Sequence, residues 1–235
     1  MILVVASIID QAAAALANEL ASTGEASLFT ISDLACAPLN LQHPDFAAST
    51  ITINGRITSV GVLTGVVNLL PAVVPDEVGF YAPEEREYQA AELHALMTFF
   101  LASLPCPVIN RATAVGLCGP VHSPLGWRQL ATSMNIPLTF VELDSDAFVN
   151  PFTVRAGSEY FEIACVGDRV ISPTGSVADE QTVALAKRAD VVYLNAVFSR
   201  ETPNSPRLLT AKSLPDVTLP ATRLAIKDYF AARRQ

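Results

Sequence analysis

Ile2-Leu3-Val4-Val5-Ala6 is an unbroken aliphatic run of buried-strand length, and beyond Asp10 the apolar positions change period. Ala12, Leu16 and Leu20 recur every four residues, one stripe of a helix that Gly24 ends. A strand followed by such a helix opens a Rossmann-like unit. Residues 27–31 read as a second strand, after which Pro38, Asn40 and Pro44 mark a loop. Thr50-Ile51-Thr52-Ile53 and Arg56-Ile57-Thr58 flank Asn54-Gly55, a pair suited to a type I′ turn, so a β-hairpin decorates the sheet here. Residues 61–67 read as another buried strand.

Proline and glycine make a loop of residues 71–83, and residues 84–104 then form a helix with Glu84, Glu85 and Glu87 near its start, where the helix dipole favours them. Tyr88, Ala91, Ala95 and Phe99, with Leu96 and Phe100, are the stripe expected to face the core. A short strand at 108–110, a helix at 123–134 with Pro124 in its first turn and a strand at 136–141 follow. Alternating strands and helices imply α/β class with a mostly parallel sheet. The remainder differs: a hairpin of 159–166 and 169–172 around Gly167-Asp168, a helix at 178–189, strands at 191–197 and 207–211, and a closing helix at 219–233 make an α+β order. The expected division is a Rossmann-like domain over 1–141 and a smaller α+β part over 142–235, because acidic residues, Asn150 and Pro151 cluster at the junction.

Composition narrows the function. Half of the 235 residues are apolar and only 16% are charged, against roughly 25% in an average globular protein. Much of the surface is therefore neutral or covered by a partner, which suits a homo-oligomer or a complex with a partner enzyme. A net charge of -8 repels phosphate backbones and excludes nucleic-acid binding as the expected role. Cys36, Cys106, Cys118 and Cys165 form no CxxC pair and read as free thiols of a reducing cytoplasm. The N-terminal 17 residues lack a basic segment and carry Asp10, so they read as strand and helix rather than a signal peptide. No stretch reaches the roughly 18 to 20 uncharged apolar residues of a membrane span.

Few local motifs carry chemistry. No GxxxxGK[ST] loop occurs, and Gly116-Leu117-Cys118-Gly119-Pro120 reads as a bend that could also cradle an anion at the 123–134 helix. Cys118 and His122 offer a nucleophile and a base with Asn110 as orienter, against the plainer reading of a buried thiol and a surface histidine. His43 and His94 lack partners at metal-ligand spacing. Glu84, Glu85, Glu87 and Glu92 read as a solvated helix start, and Arg233-Arg234 as cations at a helix end.

Residues 81–139 resemble the end of the pre-ATP-grasp domain in ATP-grasp ligases, particularly those that modify ribosomal peptides. The similarity lies in the order of a Glu-bearing helix at 84–104, Val108-Ile109-Asn110, Gln129-Leu130-Ala131 and Asn135-Ile136-Pro137-Leu138-Thr139. The stretch from Tyr160 to Val170, with Val166-Gly167-Asp168 at its turn, is similar to that family's hairpin, and residues 191–198 and 207–216 resemble the strands that carry its metal ligands. The resemblance implies a pre-ATP-grasp domain followed by a shortened ATP-grasp part.

The departures lie where the resemblance places ATP. Where the family has Glu-x-Asn-x-x-Pro, this chain has Thr210-Ala211-Lys212-Ser213-Leu214-Pro215, and the preceding strand offers Asn195. A protonated lysine cannot ligate magnesium, and a threonine hydroxyl poorly replaces a carboxylate. Residues 140–158, which replace the family's phosphate-holding lysine and glycine-rich flap, contain no lysine and one glycine, Gly157. Phosphoryl transfer depends on cations held around the phosphates. The expectation is a non-catalytic ATP-grasp-like protein with no cofactor, binding a peptide or small molecule or serving a partner enzyme. The alternative is a diverged ligase or transferase that keeps ATP and magnesium in an interdomain cleft. Candidate ligand-binding residues are Asn110, Arg111, Arg128, Arg155, Arg169, Asn195, Arg207 and Lys212, with no metal ligand among them.

Overall fold

In the computed structural model the described residues are 1–22, 24–37, 39–120, 122–143, 152–154, 159–171, 173–200 and 206–233. They form two compact units, Met1–Val121 with Leu214–Gln235, and His122–Ser213. The division expected from the sequence lies at 141/142. In the structure the helix after residue 122 groups with the second sheet and the last helix with the first. The acidic junction with Asn150 and Pro151 lies outside the described residues, as do Arg155, Gly157 and Arg234. Among the described residues no helix is long and apolar enough to cross a membrane.

The first unit opens with β1 (Ile2–Val5), α1 (Gln11–Ala21), β2 (Ala26–Phe29) and α2 (Ile31–Cys36), then the hairpin of β3 (Thr50–Ile53) and β4 (Arg56–Ser59). It continues through β5 (Gly65–Asn68), α3 (Arg86–Ser103) and β6 (Val108–Ile109). The aliphatic strands pair in the order β2-β1-β5-β6, every pair parallel, with Val5 beside both Phe29 and Asn68. This is the parallel sheet expected of the first half. Asp10 caps α1 by accepting from the Ala13 amide at 2.9 Å. The hairpin turns at Asn54 and Gly55, both with positive φ, as the Asn-Gly pair requires.

Three local expectations are corrected. Ile31 does not end a strand: Thr30 and Asp33 close a capping box, with the Thr30 amide donating to Asp33 Oδ2 at 2.8 Å, and α2 starts there. Residues 60–62 form a 3-10 turn capped by Ser59, so the strand begins at Gly65 rather than at 61. On α3 the core face is Ala90, Leu93, Met97, Phe100 and Leu101, whereas Tyr88 and Phe99 are 66% and 44% exposed and Ala91 and Ala95 are also outside. Apolar residues line two faces of this helix, and the face with more large aliphatic side chains is the one buried.

The second unit holds α4 (Pro124–Ser133), β7 (Val141–Leu143), β8 (Phe152–Val154), β9 (Glu159–Val166), β10 (Arg169–Ile171), α5 (Val177–Arg188), β11 (Tyr193–Arg200) and β12 (Pro206–Lys212). Its main sheet is antiparallel in the order β10-β9-β11-β12. Ile163, Cys165, Leu194, Ala196, Phe198, Leu208 and Ala211 point to one side and pack on Trp127 and Ala131 of α4 and Ala178, Leu185 and Ala186 of α5. The strand expected at 136–141 is reduced to one parallel bridge, Leu138 to Leu208, and Val141 belongs to the separate β7-β8 pair. Pro137 lacks an amide donor, which limits any longer ladder there.

The chain ends in α6 (Pro220–Ala231), which belongs to the first unit. Phe230 is 2% exposed and lies so close to Gly65 that a Cβ there would sit 2.2 Å from its ring. Gly65 is thus the seat of the closing helix on β5.

Candidate functional site

In the second sheet, side chains alternate between faces, so the neighbours of the core residues form a second face, on which Val166, Tyr193, Asn195 and Ser199 are also buried. It carries Glu162 of β9, Arg169 of β10, Asn195 of β11, and Thr210 and Lys212 of β12. Register places Asn195 between Ala164 and Lys212, and Val197 between Glu162 and Thr210. Asn195 is 3% exposed, and its Nδ2 donates to Glu162 Oε2 at 2.5 Å, a charge-assisted bond. Its Oδ1 is buried with no hydrogen-bond partner. Lys212 is exposed on the edge strand, directly opposite.

This donor set does not fit magnesium. The ion demands near-octahedral oxygen ligation, commonly with one or two carboxylates. Here Glu162 already accepts from an amide, Asn195 Oδ1 is enclosed, Thr210 offers a hydroxyl, and Lys212 sets a positive charge across the strand pair. Among the described residues no group of three His, Cys, Asp or Glu side chains is placed to hold a metal ion. The sequence singles out Asn195 and Lys212 but not Glu162. Glu162 becomes visible only when strand register sets it diagonal to Asn195.

The remaining basic candidates serve several backbones. Arg128 of α4 donates to the carbonyls of Thr139 at 2.7 Å, Leu209 at 3.3 Å and Leu208 at 3.5 Å, and burial pushes its pKa down. Arg207 reaches the Leu138 carbonyl at 3.4 Å, and Thr139 Oγ1 bonds the Ser199 hydroxyl at 2.5 Å. Together these tie residues 138 and 139 to β12. Arg111, in the first unit, donates to the carbonyls of Leu101, Ala102, Leu104 and Cys106 at 2.7 to 3.3 Å, which caps the end of α3. Asn110 is fully buried at φ 54, while Arg169 stands exposed at the start of β10.

The cysteine and histidine candidates find structural places. Cys118 is buried, its Sγ donates to the Asn68 carbonyl at 3.5 Å, and desolvation pushes its pKa up to about 12. A thiol held protonated is no nucleophile near neutral pH. His122 stacks edge-on against Trp127 at 4.6 Å, His94 Nδ1 accepts the Val73 amide at 3.3 Å, and His43 precedes a cis proline. Glu84, Glu85, Glu87 and Glu92 are exposed, as a solvated helix start requires.

A second feature of this unit carries no sequence motif. Between β10 and α5 lies a groove of about 420 Å³ whose apolar lining is the half-buried Val170 and Val183 with the exposed Ala184. Asp168, Glu180 and Lys187 border it, and the buried Asp179 lies in its lining. Lys187 pairs with Asp168 at 2.7 Å, and Asp179 accepts from the Gly175 amide at 2.7 Å and Thr174 Oγ1 at 2.9 Å. The sequence does carry a signal: Glu180, Val183, Ala184 and Lys187 share one helical face, and the Gly167-Asp168 turn brings a carboxylate to it.

No protein-family model matches the sequence, and no curated protein does. Solved structures do match in fold. The macrocyclase MdnC from Microcystis aeruginosa MRC, bound with its precursor peptide MdnA, aligns at TM-score 0.71 over 98% of this chain and 99% of that chain, with 11% identity. The ATP-grasp ligase PsnB, complexed with a phosphomimetic variant of its minimal precursor, Mg and ADP, aligns at 0.74 over 100% and 98%, with 12% identity. A Chryseobacterium gregarium RiPP-associated ATP-grasp ligase, in complex with ADP and a leader and core peptide, aligns at 0.69 over 99% and 96%, with 10% identity. The parallel four-stranded sheet, the antiparallel sheet with its hairpin and these alignments over nearly the whole chain give one conclusion: this protein has the fold of the ATP-grasp peptide ligases.

Proposed function

We propose that the protein is a non-catalytic binding member of this fold, one that takes a peptide and presents it to a partner enzyme or a second copy of itself. The observation that carries the reading is the second face of the antiparallel sheet, where Lys212 is paired across the strands with Asn195 and Glu162 is engaged by an amide. Phosphoryl transfer needs cations clamped around the phosphates, and among the described residues this face offers no group of three His, Cys, Asp or Glu side chains for them. The groove between β10 and α5 supports the peptide part of the proposal. Its apolar lining takes a hydrophobic side chain, and its mostly acidic border suits a neighbouring basic one. Ile8 and Ile9, 69% and 83% exposed in the loop after β1, offer apolar surface for association. The proposed setting is the cytoplasm, in keeping with free cysteines.

One observation favours the second reading, a diverged ligase: Glu162 puts a carboxylate on the same face. Fluorescence anisotropy with labelled 15-residue peptides that place leucine or phenylalanine beside arginine, set against glutamate versions, separates the readings. The arginine series is expected to bind, and Ala184→Asp to weaken it by about tenfold, or about 1.4 kcal/mol, since the bound leucine or phenylalanine would then strip water from a carboxylate that is exposed in the free protein. Equal binding of both series, or none, refutes the groove assignment. Steady ADP release with magnesium and peptide would establish the ligase instead.

A further inference from the structure

β10 is the outermost strand of the antiparallel sheet, and among the described residues no strand pairs with its far side. Val166 and Arg169 flank the two-residue turn at Gly167 and Asp168, so they form the hydrogen-bonded pair that closes the hairpin. Hydrogen-bonded and non-bonded pairs alternate along an antiparallel ladder, which leaves Val170 and Cys165 as a non-bonded pair. The Val170 N–H and C=O therefore turn outward, beside the groove that its side chain lines. We propose that the peptide binds as an extended strand antiparallel to β10, with a basic residue two positions before the hydrophobic residue that pairs with Val170. This rests on the peptide reading of the groove and adds the ligand's conformation and motif.

Strand geometry sets each part of that motif. A ligand residue directly opposite Val170 exchanges both hydrogen bonds with it, and its side chain lies on the same face as that of Val170. That face is the α5 side, because Val170 pairs with Cys165 and packs on the same core. The ligand side chain thus enters the groove, between Val170 and the α5 positions Val183 and Ala184. Its sequence neighbours point away from α5, and residues two positions off return to it. α5 runs back along β10: Lys187 meets Asp168 at the turn, while Asp179 accepts from Gly175 and Thr174 at the other end. Asp168 offsets the Lys187 charge, and Glu180 stands exposed toward the end where α5 begins. A ligand antiparallel to β10 enters at the Glu180 end, which sets its basic residue before the hydrophobic one. β10 has three residues and offers one outward pair, enough to register one ligand residue and too short to template a sheet of like chains. A helical ligand would place its side chains at three- and four-residue spacing and leave the Val170 groups unused.

Fluorescence anisotropy of the full chain with labelled peptides centred on Arg-Ser-Leu, set against Arg-Leu and Arg-Ser-Ser-Leu versions of equal length, tests the proposal. The Arg-Ser-Leu peptide is expected to bind about threefold tighter than either. N-methylation of its leucine removes the N–H aimed at Val170 and should weaken it about tenfold; N-methylation of the serine, whose N–H points away, should change it by no more than about twofold. Val170→Pro removes the outward N–H without touching the bonds to β9 and should weaken the peptide about tenfold, whereas Val170→Ala, which keeps the N–H, should do so by about threefold at most. Circular dichroism of both variants separates lost binding from lost fold, and the methylated peptides need no variant at all. Equal binding of the three spacings, or indifference to leucine methylation, overturns the strand pairing and leaves the groove as a peptide site. Absence of binding by all three peptides overturns the groove as a peptide site and the strand pairing with it.

Discussion

At the scale of single residues, burial decides which thiols do chemistry. Cys36 is exposed, whereas Cys106, Cys118 and Cys165 are buried, with desolvation pushing Cys118 to about 12 and Cys165 to about 11. Ellman's reagent at pH 8 should therefore titrate one thiol per native chain promptly and the other three only after denaturation. The raised values also set a sign for pH dependence. The unfolded thiols ionise near pH 9 while the folded ones stay protonated, so their contribution to stability is intact below pH 9 and is lost as pH rises through 11 to 12. Urea midpoints falling across that window, with a shallower fall in Cys118→Ala, are the expected pattern; a flat profile contradicts it. Residue identity alone made Asn195 and Lys212 legible, because each departs from a carboxylate or amide that the resemblance expects. Glu162 was not legible, since its relation to Asn195 exists only through the pairing of two strands more than thirty residues apart.

Among elements, legibility follows the strength of the local signal. The hairpin at Asn54-Gly55, the hairpin around Gly167-Asp168, α4 and α5 lie near their expected bounds, because turn chemistry, the Ser123 cap of α4 and helical periodicity in α5 act within a few residues. The buried face of α3 was not, because two apolar stripes compete on it and only tertiary packing chooses. The strand expected at 136–141 failed for a similar reason: an apolar run became a single bridge beside β12, tied in place by Arg128. The closing helix α6 carries its own test. Gly65→Ala puts a methyl 2.2 Å from the Phe230 ring, closer than any real contact, and the buried ring has no room to swing. The substitution should cost on the order of 1–3 kcal/mol by overpacking, read as a lowered urea midpoint, and Phe230→Leu in the same chain should recover part of it. Wild-type stability in Gly65→Ala would mean that α6 does not rest on β5.

For the whole molecule, the fold and the chemistry point in different directions. A parallel sheet followed by an antiparallel sheet with its hairpin is an ATP-grasp arrangement, matched over nearly the full chain by peptide ligases at 10% to 12% identity. Folds tolerate that divergence because hydrophobic pattern and register survive many substitutions, whereas a metal site is lost with two or three side chains. In this chain the exchange is a change of sign, with Lys212 and Thr210 on the strand where carboxylate and amide are expected. The proposed binding role separates ligand recognition from ATP-driven chemistry. Its central claim is tested most directly by the unfolding midpoint of the purified chain with ATP, measured in magnesium and in EDTA. A ligand at about 100 times its dissociation constant stabilises the folded state by roughly 2.7 kcal/mol, a shift that is easily read. Any shift with ATP is predicted to be at least as large in EDTA as in magnesium. A stabilisation that appears only when magnesium is present would contradict it and restore the ligase reading.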